Sequence, residues 1–299
     1  MKLVIVGSFA FDTIETPFAR RERIVGGSGT YCSLAASFFT TPGIVGVVGS
    51  DFPEETVNFF KERGIDTTGL EIKEGKTFFW EARYGNDPNE RTTIRTELNV
   101  FKDFKPVLPP EYRKAGIVFL GNIDPDQQDG ILNQFEAPYL VAMDTINLWI
   151  REKPRSLLEL LEKVDVFFAN DEEIKMLSQE TNLVKAGKKL LQRGPSLIVI
   201  KKGEHGALLL GKDFTFGVIA HPCDEVVDPT GAGDSFAGGF LGYLDKVKSL
   251  TTRDFRRAAV YGSVMASFVI EDFGIERFKT LTTQEIKERF IYFKKLVSF

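Results

Sequence analysis

The residue types best suited to chemistry are concentrated at positions 228–234, which read Asp-Pro-Thr-Gly-Ala-Gly-Asp. A strand-like apolar run precedes this segment and a helical pattern follows it. The small residues Gly231, Ala232 and Gly233 let backbone N–H groups come close to a ligand. At a helix N-terminus such N–H groups have no partner inside the helix, and the helix dipole favours negative charge there. The segment therefore predicts an anion hole with the carboxylate of Asp234 on its rim.

Asp234 has two interpretations on spacing alone. An acidic side chain in the first turn of a helix often only complements the helix dipole. Beside an anion hole, the same carboxylate is placed to accept a proton from an attacking hydroxyl. The segment lacks the glycine and lysine spacing of a phosphate-binding P-loop, which would have decided between them. The local sequence leaves capping and catalysis open.

Alternating strand-like and helical segments must position these groups. Near-continuous apolar runs are separated by amphipathic segments, which is typical of strands buried on both faces of a sheet. We therefore predict an α/β fold with a mostly parallel central sheet. The predicted strands lie at Leu3–Val6, Gly116–Leu120, Tyr139–Met143, Val164–Phe168, Leu197–Ile200, Ala207–Leu210 and Thr215–Ile219.

Residues 70–100 interrupt that alternation. Runs rich in aromatic and β-branched residues at 76–84 and 91–96 flank a turn-rich segment, which predicts a β-hairpin. Together with the short segment Asp12–Arg23, this hairpin would form a small β flap. We predict a single domain over residues 1–299, with a lid inserted in it from roughly 12–25 and 70–100.

Composition excludes several other classes of protein. The 299 residues include 38 Lys and Arg against 42 Asp and Glu, so the formal net charge is −4. A mildly acidic chain without a basic run is a poor binder of nucleic acid or of an anionic membrane surface. The sequence has no uninterrupted apolar run of about 18 residues, so it predicts no transmembrane helix. Two cysteines and two histidines are too few for a disulfide framework or a four-ligand zinc site. We expect a cytoplasmic enzyme that acts on a small molecule.

The whole segment at 228–234 resembles the C-terminal signature of the ribokinase-like (PfkB) carbohydrate kinases, Asp-Thr-Thr-Gly-Ala-Gly-Asp, with one departure at Pro229. Near the start of the chain, Gly26 and Gly27 open a predicted helix and resemble the family's N-terminal Gly-Gly motif. Asp12 matches the family's substrate-binding aspartate, and Tyr31 stands where family members often carry asparagine. The resemblance covers essentially the whole chain. It implies a ribokinase-like three-layer sandwich with these four residues on the substrate side.

On the nucleotide side, Asn170 and Glu173 match the family's Asn-x-x-Glu element, which holds Mg²⁺ and its waters near the nucleotide phosphates. The alternative is a helix start with Asn170 as its N-cap, although the signature at 228–234 favours the metal. The nucleotide-binding residues that the resemblance implies are Asn170, Lys201, Gly203, Gly206, Thr230, Ala259 and Gly262.

The function implied by the resemblance is ATP-dependent phosphoryl transfer. The γ-phosphate of ATP would move to a hydroxyl of a small sugar, polyol or nucleoside, with Asp234 as general base and Gly231–Gly233 as the anion hole. Segment 144–149 departs from the family's Asp-Pro-Asn-x-Arg pattern, with Trp149 near the arginine position, which disfavours an anionic phosphosugar. ATP and Mg²⁺ are the implied cofactors, a monovalent cation is a further candidate, and the implied assembly is a homodimer formed through the lid.

Two other functions compete with the kinase. One is a catalytically silent nucleotide- or sugar-binding protein of the same fold, which the intact Asp234 and its glycine turn disfavour. The other is a nicotinamide-dependent oxidoreductase. The first strand-like run, Leu3–Val6, is not followed by the Gly-x-Gly-x-x-Gly fingerprint of dinucleotide-binding proteins, which disfavours the oxidoreductase.

Overall fold

The computed structural model describes residues 3–298, which form one sheet of nine strands, a second sheet of four strands, and helices around them. The strands are β1 (Leu3–Val6), β2 (Ala10–Glu15), β3 (Arg20–Gly26), β4 (Gly43–Gly49), β5 (Asp66–Lys73), β6 (Phe78–Tyr84), β7 (Arg91–Glu97), β8 (Ile117–Leu120), β9 (Leu140–Asp144), β10 (Val166–Asn170), β11 (Leu197–Lys201), β12 (Ala207–Gly211) and β13 (Thr215–Val218). The helices are α1 (Ser28–Ser37), α2 (Glu54–Glu62), α3 (Pro125–Leu132), α4 (Asn147–Glu152), α5 (Pro154–Leu161), α6 (Asp171–Ser178), α7 (Leu183–Leu191), α8 (Ala232–Val247), α9 (Thr252–Val269), α10 (Glu276–Thr280) and α11 (Thr283–Leu296).

The large sheet has the strand order β13-β12-β11-β10-β9-β8-β1-β4-β5. Neighbouring strands from β5 to β11 run parallel, and β12 and β13 add an antiparallel edge. Along β1, Leu3 and Ile5 belong to the hydrophobic core shared with α1, α8 and α9, whereas Val4 and Val6 belong to the core on the opposite face. The predicted α/β sandwich with a mostly parallel central sheet is confirmed. Because the parallel strands point the same way, their carboxyl ends meet along one edge, where α/β proteins bind ligands.

Two strands of the large sheet, β4 and β5, are not predicted by the sequence pattern. Glycines at 43, 46 and 49 interrupt the apolar run of β4, and glycine inside a strand weakens the pattern that identifies it. The expected lid range is also wrong at its start, since Leu70 and Ile72 pair with Gly46 and Val48 of β4. Residues 70–73 therefore belong to the large sheet.

The segment before the glycine turn is a loop, and the strand expected to enter it is absent from the described residues. Positions 219–230 contain no helix or strand. The N–H of Val227 donates instead to the carbonyl of Ile270 at 2.9 Å. This bond ties the loop to the end of α9 and replaces the ladder bonds of a strand.

The second sheet has the order β3-β2-β6-β7 and consists of segments 10–26 and 78–97. Strands β6 and β7 form the hairpin predicted over 76–96, and β2 pairs with β6 in parallel. One face of the sheet buries Ile14, Ala82 and Tyr84 against Phe273. Residues 91–96 of β7 are exposed along the outer edge.

Helix α8 is held tightly between two neighbouring helices. A Cβ atom added to Gly238 would lie 2.2 Å from the carbonyl oxygen of Cys32 in α1, and one added to Gly239 would lie 2.7 Å from Met265 in α9. Both contacts require glycine because they bring helix backbones closer than a side chain allows. They fix the N-terminus of α8 beside the carboxyl edge of the large sheet.

Candidate active site

Helix α8 begins at the glycine turn identified in the sequence. Gly231 is its N-cap residue, with φ at 78°, a left-handed conformation that favours glycine. A Cβ atom there would also lie 2.4 Å from the ring of Tyr31. Within residues 3–298, no hydrogen bond occupies the N–H of Gly231 or of Gly233. Two of the three predicted backbone donors are therefore available to an anion at the positive end of α8, whereas the N–H of Ala232 donates to the carbonyl of Pro229 at 3.3 Å.

Asp234 lies in the first turn of α8 and is a half-buried residue. Burial raises its pKa to about 7, the nearby carboxylate of Asp144 adds to the rise, and the positive charges of Lys201 and Arg91 oppose it. A carboxylate that only complemented the helix dipole would have a lowered pKa. The surroundings of Asp234 therefore give it the proton affinity that suits a general base near neutral pH.

The Gly26–Gly27 turn accommodates the carboxyl group of Asp12 on β2. The N–H of Gly27 donates to that carboxyl group, and a Cβ atom on Gly26 would lie 1.8 Å from its Oδ2 atom. Burial raises the pKa of Asp12 well above its usual value, and the charges of Asp228 and Asp234 raise it further. The structure thus brings Asp12, from the second sheet, into electrostatic range of Asp234.

Tyr31 stands in α1 directly beneath the glycine turn. Its side chain is 1% exposed, and its hydroxyl has no hydrogen-bond partner among the described residues. Burial raises the pKa of this hydroxyl well above its usual value, with Asp12 and Asp228 adding to the rise. A buried hydroxyl without a partner costs about 1–3 kcal/mol. A bound ligand is the natural means of satisfying it.

Lys201 and Asp144 form an ion pair at the carboxyl edge of the large sheet. They end β11 and β9, the two strands that flank β10, and the distance from Lys201 Nζ to Asp144 Oδ2 is 2.5 Å. The side chain of Asp144 is 2% exposed and that of Lys201 is 18% exposed. A Cβ atom added to Gly233 would lie 3.1 Å from Lys201 Nζ, so the ammonium group touches the first turn of α8.

Asn170 and Glu173 form a capping box at the start of α6. The N–H of Glu173 donates to Asn170 Oδ1 at 2.8 Å, and the N–H of Asn170 donates to Glu173 Oε2 at 2.7 Å. Burial raises the pKa of Glu173 to about 7, although the charge of Lys201 opposes the rise. The capping interpretation is confirmed. The metal interpretation stays a prediction, and Glu173 Oε1 is the carboxylate atom left to hold a water of Mg²⁺, which fits a water-mediated site.

Two contacts place the second sheet over this edge. The hydroxyl groups of Tyr84, at the end of β6, and Thr230 are 3.2 Å apart. In the turn between β6 and β7, Asn89 Oδ1 would lie 1.9 Å from a Cβ atom added to Gly203. The hairpin tip therefore touches both the loop before α8 and the turn between β11 and β12.

Arg91 is a member of this site that the sequence does not identify beyond its place on the flap. It begins β7 and pairs with Tyr84 across the hairpin. Its positive charge lowers the pKa values of Asp234 and Glu173. Asp144 begins segment 144–149, whose resemblance to the family's Asp-Pro-Asn-x-Arg pattern is only partial. The local sequence does not give the partners of Asp144 or Arg91, because each residue reaches the site through strand pairing.

Ala259 and Gly262 have packing roles in the structure. Ala259 is fully buried, and a Cβ atom on Gly262 would lie 2.8 Å from the carbonyl of Phe236 in α8. Gly206 adopts φ 77° in the turn after β11, where a Cβ atom would lie 2.0 Å from the carbonyl of Val218. Contact of these three residues with a nucleotide stays a prediction.

Among residues 3–298, no group of three or more His, Cys, Asp or Glu side chains is arranged to hold a metal ion. None of the helices in the same range is both long enough and apolar enough to cross a membrane.

Comparison with known proteins identifies relatives that match most of the chain. Residues 2–279 match the sequence profile of the pfkB family of carbohydrate kinases. The cytidine kinase of Thermococcus kodakarensis is 31% identical over 247 residues, which cover 81% of this chain and 87% of that protein.

Solved structures share the fold. The Methanocaldococcus jannaschii nucleoside kinase, described as an archaeal member of the ribokinase family, has a TM-score of 0.78 at 21% identity, covering 98% of this chain and 99% of that one. A candidate ribokinase II of Escherichia coli, in complex with ATP and Mg²⁺, has a TM-score of 0.78 at 18% identity, covering 97% and 99%.

Proposed function

The chain belongs to the pfkB family of carbohydrate kinases, and from this premise we propose that it transfers the γ-phosphate of ATP to a hydroxyl of a nucleoside. The observation that carries the proposal is the position of Asp234, whose pKa is about 7, beside two unoccupied backbone N–H groups at the N-terminus of α8. The similarity to a cytidine kinase over most of both chains favours a nucleoside over a free sugar or polyol.

The acceptor is held between the second sheet and α1. Asp12 accepts hydrogen bonds from its hydroxyl groups, and the Gly26–Gly27 turn keeps that carboxyl group in place. The unpartnered hydroxyl of Tyr31 supplies a further contact. This arrangement differs from the asparagine that family members often carry at the same position, because a tyrosine ring fills more of the space beneath the acceptor.

Phosphoryl transfer follows from the position of Asp234. As the acceptor oxygen forms its bond to the γ-phosphorus and the bond to the ADP oxygen breaks, Asp234 takes the acceptor proton. The N–H groups of Gly231 and Gly233 donate to the oxygens on which negative charge develops, in a site that is already ordered. Mg²⁺, held through water by Glu173 Oε1 beside Asn170, would neutralise phosphate charge.

The second sheet acts as the lid in this proposal. Its contacts through Tyr84 and Asn89 cover the edge at which the acceptor and the nucleotide meet. A covered site excludes water, which would otherwise compete as the phosphoryl acceptor. The exposed outer strand β7 is the edge through which we propose that two copies pair, which light scattering on the purified protein would test.

An acceptor panel tests the proposal. ADP release from ATP and Mg²⁺ is measured with cytidine, uridine, inosine, adenosine, ribose, fructose and myo-inositol, using wild type and Asp234→Asn. We expect nucleoside-dependent ADP release that falls at least about 100-fold in the variant. Release that depends on a sugar or inositol alone would replace the nucleoside by that acceptor. Stabilisation by ATP without release for any acceptor would favour a catalytically silent binding protein.

A further inference from the structure

Lys201 occupies a place that stability alone does not explain. Its ammonium group touches the first turn of α8, where the helix dipole is already positive and a cation is unfavourable. It is also largely buried, and a buried ion pair gains little over apolar packing once desolvation is counted. Lys201 therefore departs from two general preferences, since it is a cation at a helix N-terminus and a charged group in a buried position. Such departures concentrate at functional sites.

The pair with Asp144 leaves Lys201 able to bind an anion. Of the three N–H groups of the ammonium, one donates to Asp144 Oδ2, and the described residues provide no partner for the other two. Asp144 is itself fixed, because its Oδ1 accepts the N–H of Thr145 at 2.9 Å. The ammonium therefore has a defined position, a permanent counter-charge on one side and free donors beside the turn at 231–233.

We propose that Lys201 is a catalytic cation that contacts the transferring phosphoryl group, and that Asp144 is its positioning residue. This inference rests on the kinase function proposed above. In the transition state, the oxygens of the γ-phosphoryl group lie between the Lys201 ammonium and the N–H groups of Gly231 and Gly233. Because Asp144 neutralises Lys201, the cation is tolerated beside the positive end of α8 and can still donate to a phosphoryl group.

The same geometry separates this role from simple nucleotide binding. A lysine that held only the ground-state phosphates would lower the KM for ATP and leave kcat unchanged. A cation fixed at the anion hole acts where charge develops, so its loss lowers kcat. Because Asp12 on the second sheet, and not Lys201 on the large sheet, holds the acceptor in the proposed function, the KM for the nucleoside changes little in either case.

Four variants test the inference: Lys201→Met, Asp144→Asn, the double variant, and Lys202→Met as the matched control. Lys202 is the adjacent lysine, and its side chain has no hydrogen bond or ion pair among the described residues. We expect Lys201→Met to lower kcat about 100-fold with the nucleoside KM within about threefold of wild type. Asp144→Asn should lower kcat about 10-fold, because the charge remains but its position is lost, and Lys202→Met should leave kcat unchanged.

The double variant distinguishes catalysis from structure. Lys201→Met alone leaves the buried Asp144 charge unpaired and lowers the melting temperature, whereas the double variant removes both charges and restores it. We expect stability to recover in the double variant while kcat stays about 100-fold low. Recovery of kcat together with stability, or a change confined to the KM for ATP, would overturn the catalytic role. Failure of wild type to phosphorylate any acceptor would instead contradict the proposed function.

Discussion

Replacing Asp234 by asparagine should stabilise the protein at high pH while it removes activity. The ordinary pKa of this carboxyl is 3.8, and the folded protein raises it to about 7, chiefly through burial. Between these values the folded state binds a proton that the unfolded state has released. The free energy of unfolding therefore falls as pH rises from about 3.8 to about 7, and above pH 7 the protein keeps the full destabilisation caused by the buried carboxylate. Asparagine carries no such cost.

The size of the effect follows from the rise in pKa. A rise from 3.8 to about 7 corresponds to a ceiling of ~4 kcal/mol at 1.36 kcal/mol per pKa unit. Partial access of solvent to the carboxyl reduces this to about 1–2 kcal/mol. For a chain of this length, that is a rise of about 2–6 °C in the melting temperature at pH 8.

Thermal unfolding of wild type and Asp234→Asn, followed by circular dichroism at pH 5 and pH 8, measures the effect. Asp213→Asn, at an exposed loop position, is the matched control and should leave the melting temperature unchanged at pH 5 and at pH 8. The gain in melting temperature for Asp234→Asn should be larger at pH 8 than at pH 5, because the destabilisation by the buried carboxylate is only partly developed at pH 5. An equal gain at both pH values, or a loss of stability at pH 8, would refute the reasoning.

Three further predictions concern the groups around Asp234. Gly231→Ala should lower both the melting temperature and kcat, because φ 78° and the 2.4 Å approach to the Tyr31 ring exclude a side chain. The control Gly85→Ala, which has open space around it, should change neither the melting temperature nor kcat. Equal effects in the two variants would contradict this prediction. Tyr31→Phe should keep or raise the melting temperature and increase the nucleoside KM about 10-fold. The substitution deletes a buried hydroxyl that has no hydrogen-bond partner among the described residues and that we expect the ligand to satisfy. An unchanged KM would show that the hydroxyl contacts no substrate. Arg91→Gln should move the acid limb of the pH profile of kcat/KM to higher pH, because the arginine lowers the pKa of Asp234. An acid limb at the same pH in the variant would place Arg91 outside the site.

Much of this architecture could be predicted from local pattern. The glycine turn before α8 and the Asn170–Glu173 cap are contiguous in sequence, and their chemistry follows from helix termini. Buried parallel strands were identified because both of their faces are apolar. Strand β4 is not predicted because its three glycines, which lie against Tyr112, Phe9 and the backbone of Gly75, interrupt the apolar run that would identify a strand.

Pairs that form only through the sheet could not be predicted. Lys201 and Asp144 are 57 residues apart, and they meet because β9 and β11 both flank β10 in parallel register. The position of Arg91 depends on the hairpin register that sets it opposite Tyr84. Neither pairing has a signature in the residues beside it, so the resemblance places Lys201 on the nucleotide side without giving its partner Asp144.

The central claim is that Asp234 serves as the base for phosphoryl transfer to a nucleoside, and transfer of label from [γ-³²P]ATP to cytidine in a single turnover tests it most directly. Wild type should convert cytidine to labelled nucleotide, with a rate that falls below about pH 7 as Asp234 becomes protonated. Asp234→Asn, folded and binding ATP as well as wild type, should transfer label at least about 100-fold more slowly at every pH. Transfer at the wild-type rate in the variant would contradict the assignment of the base.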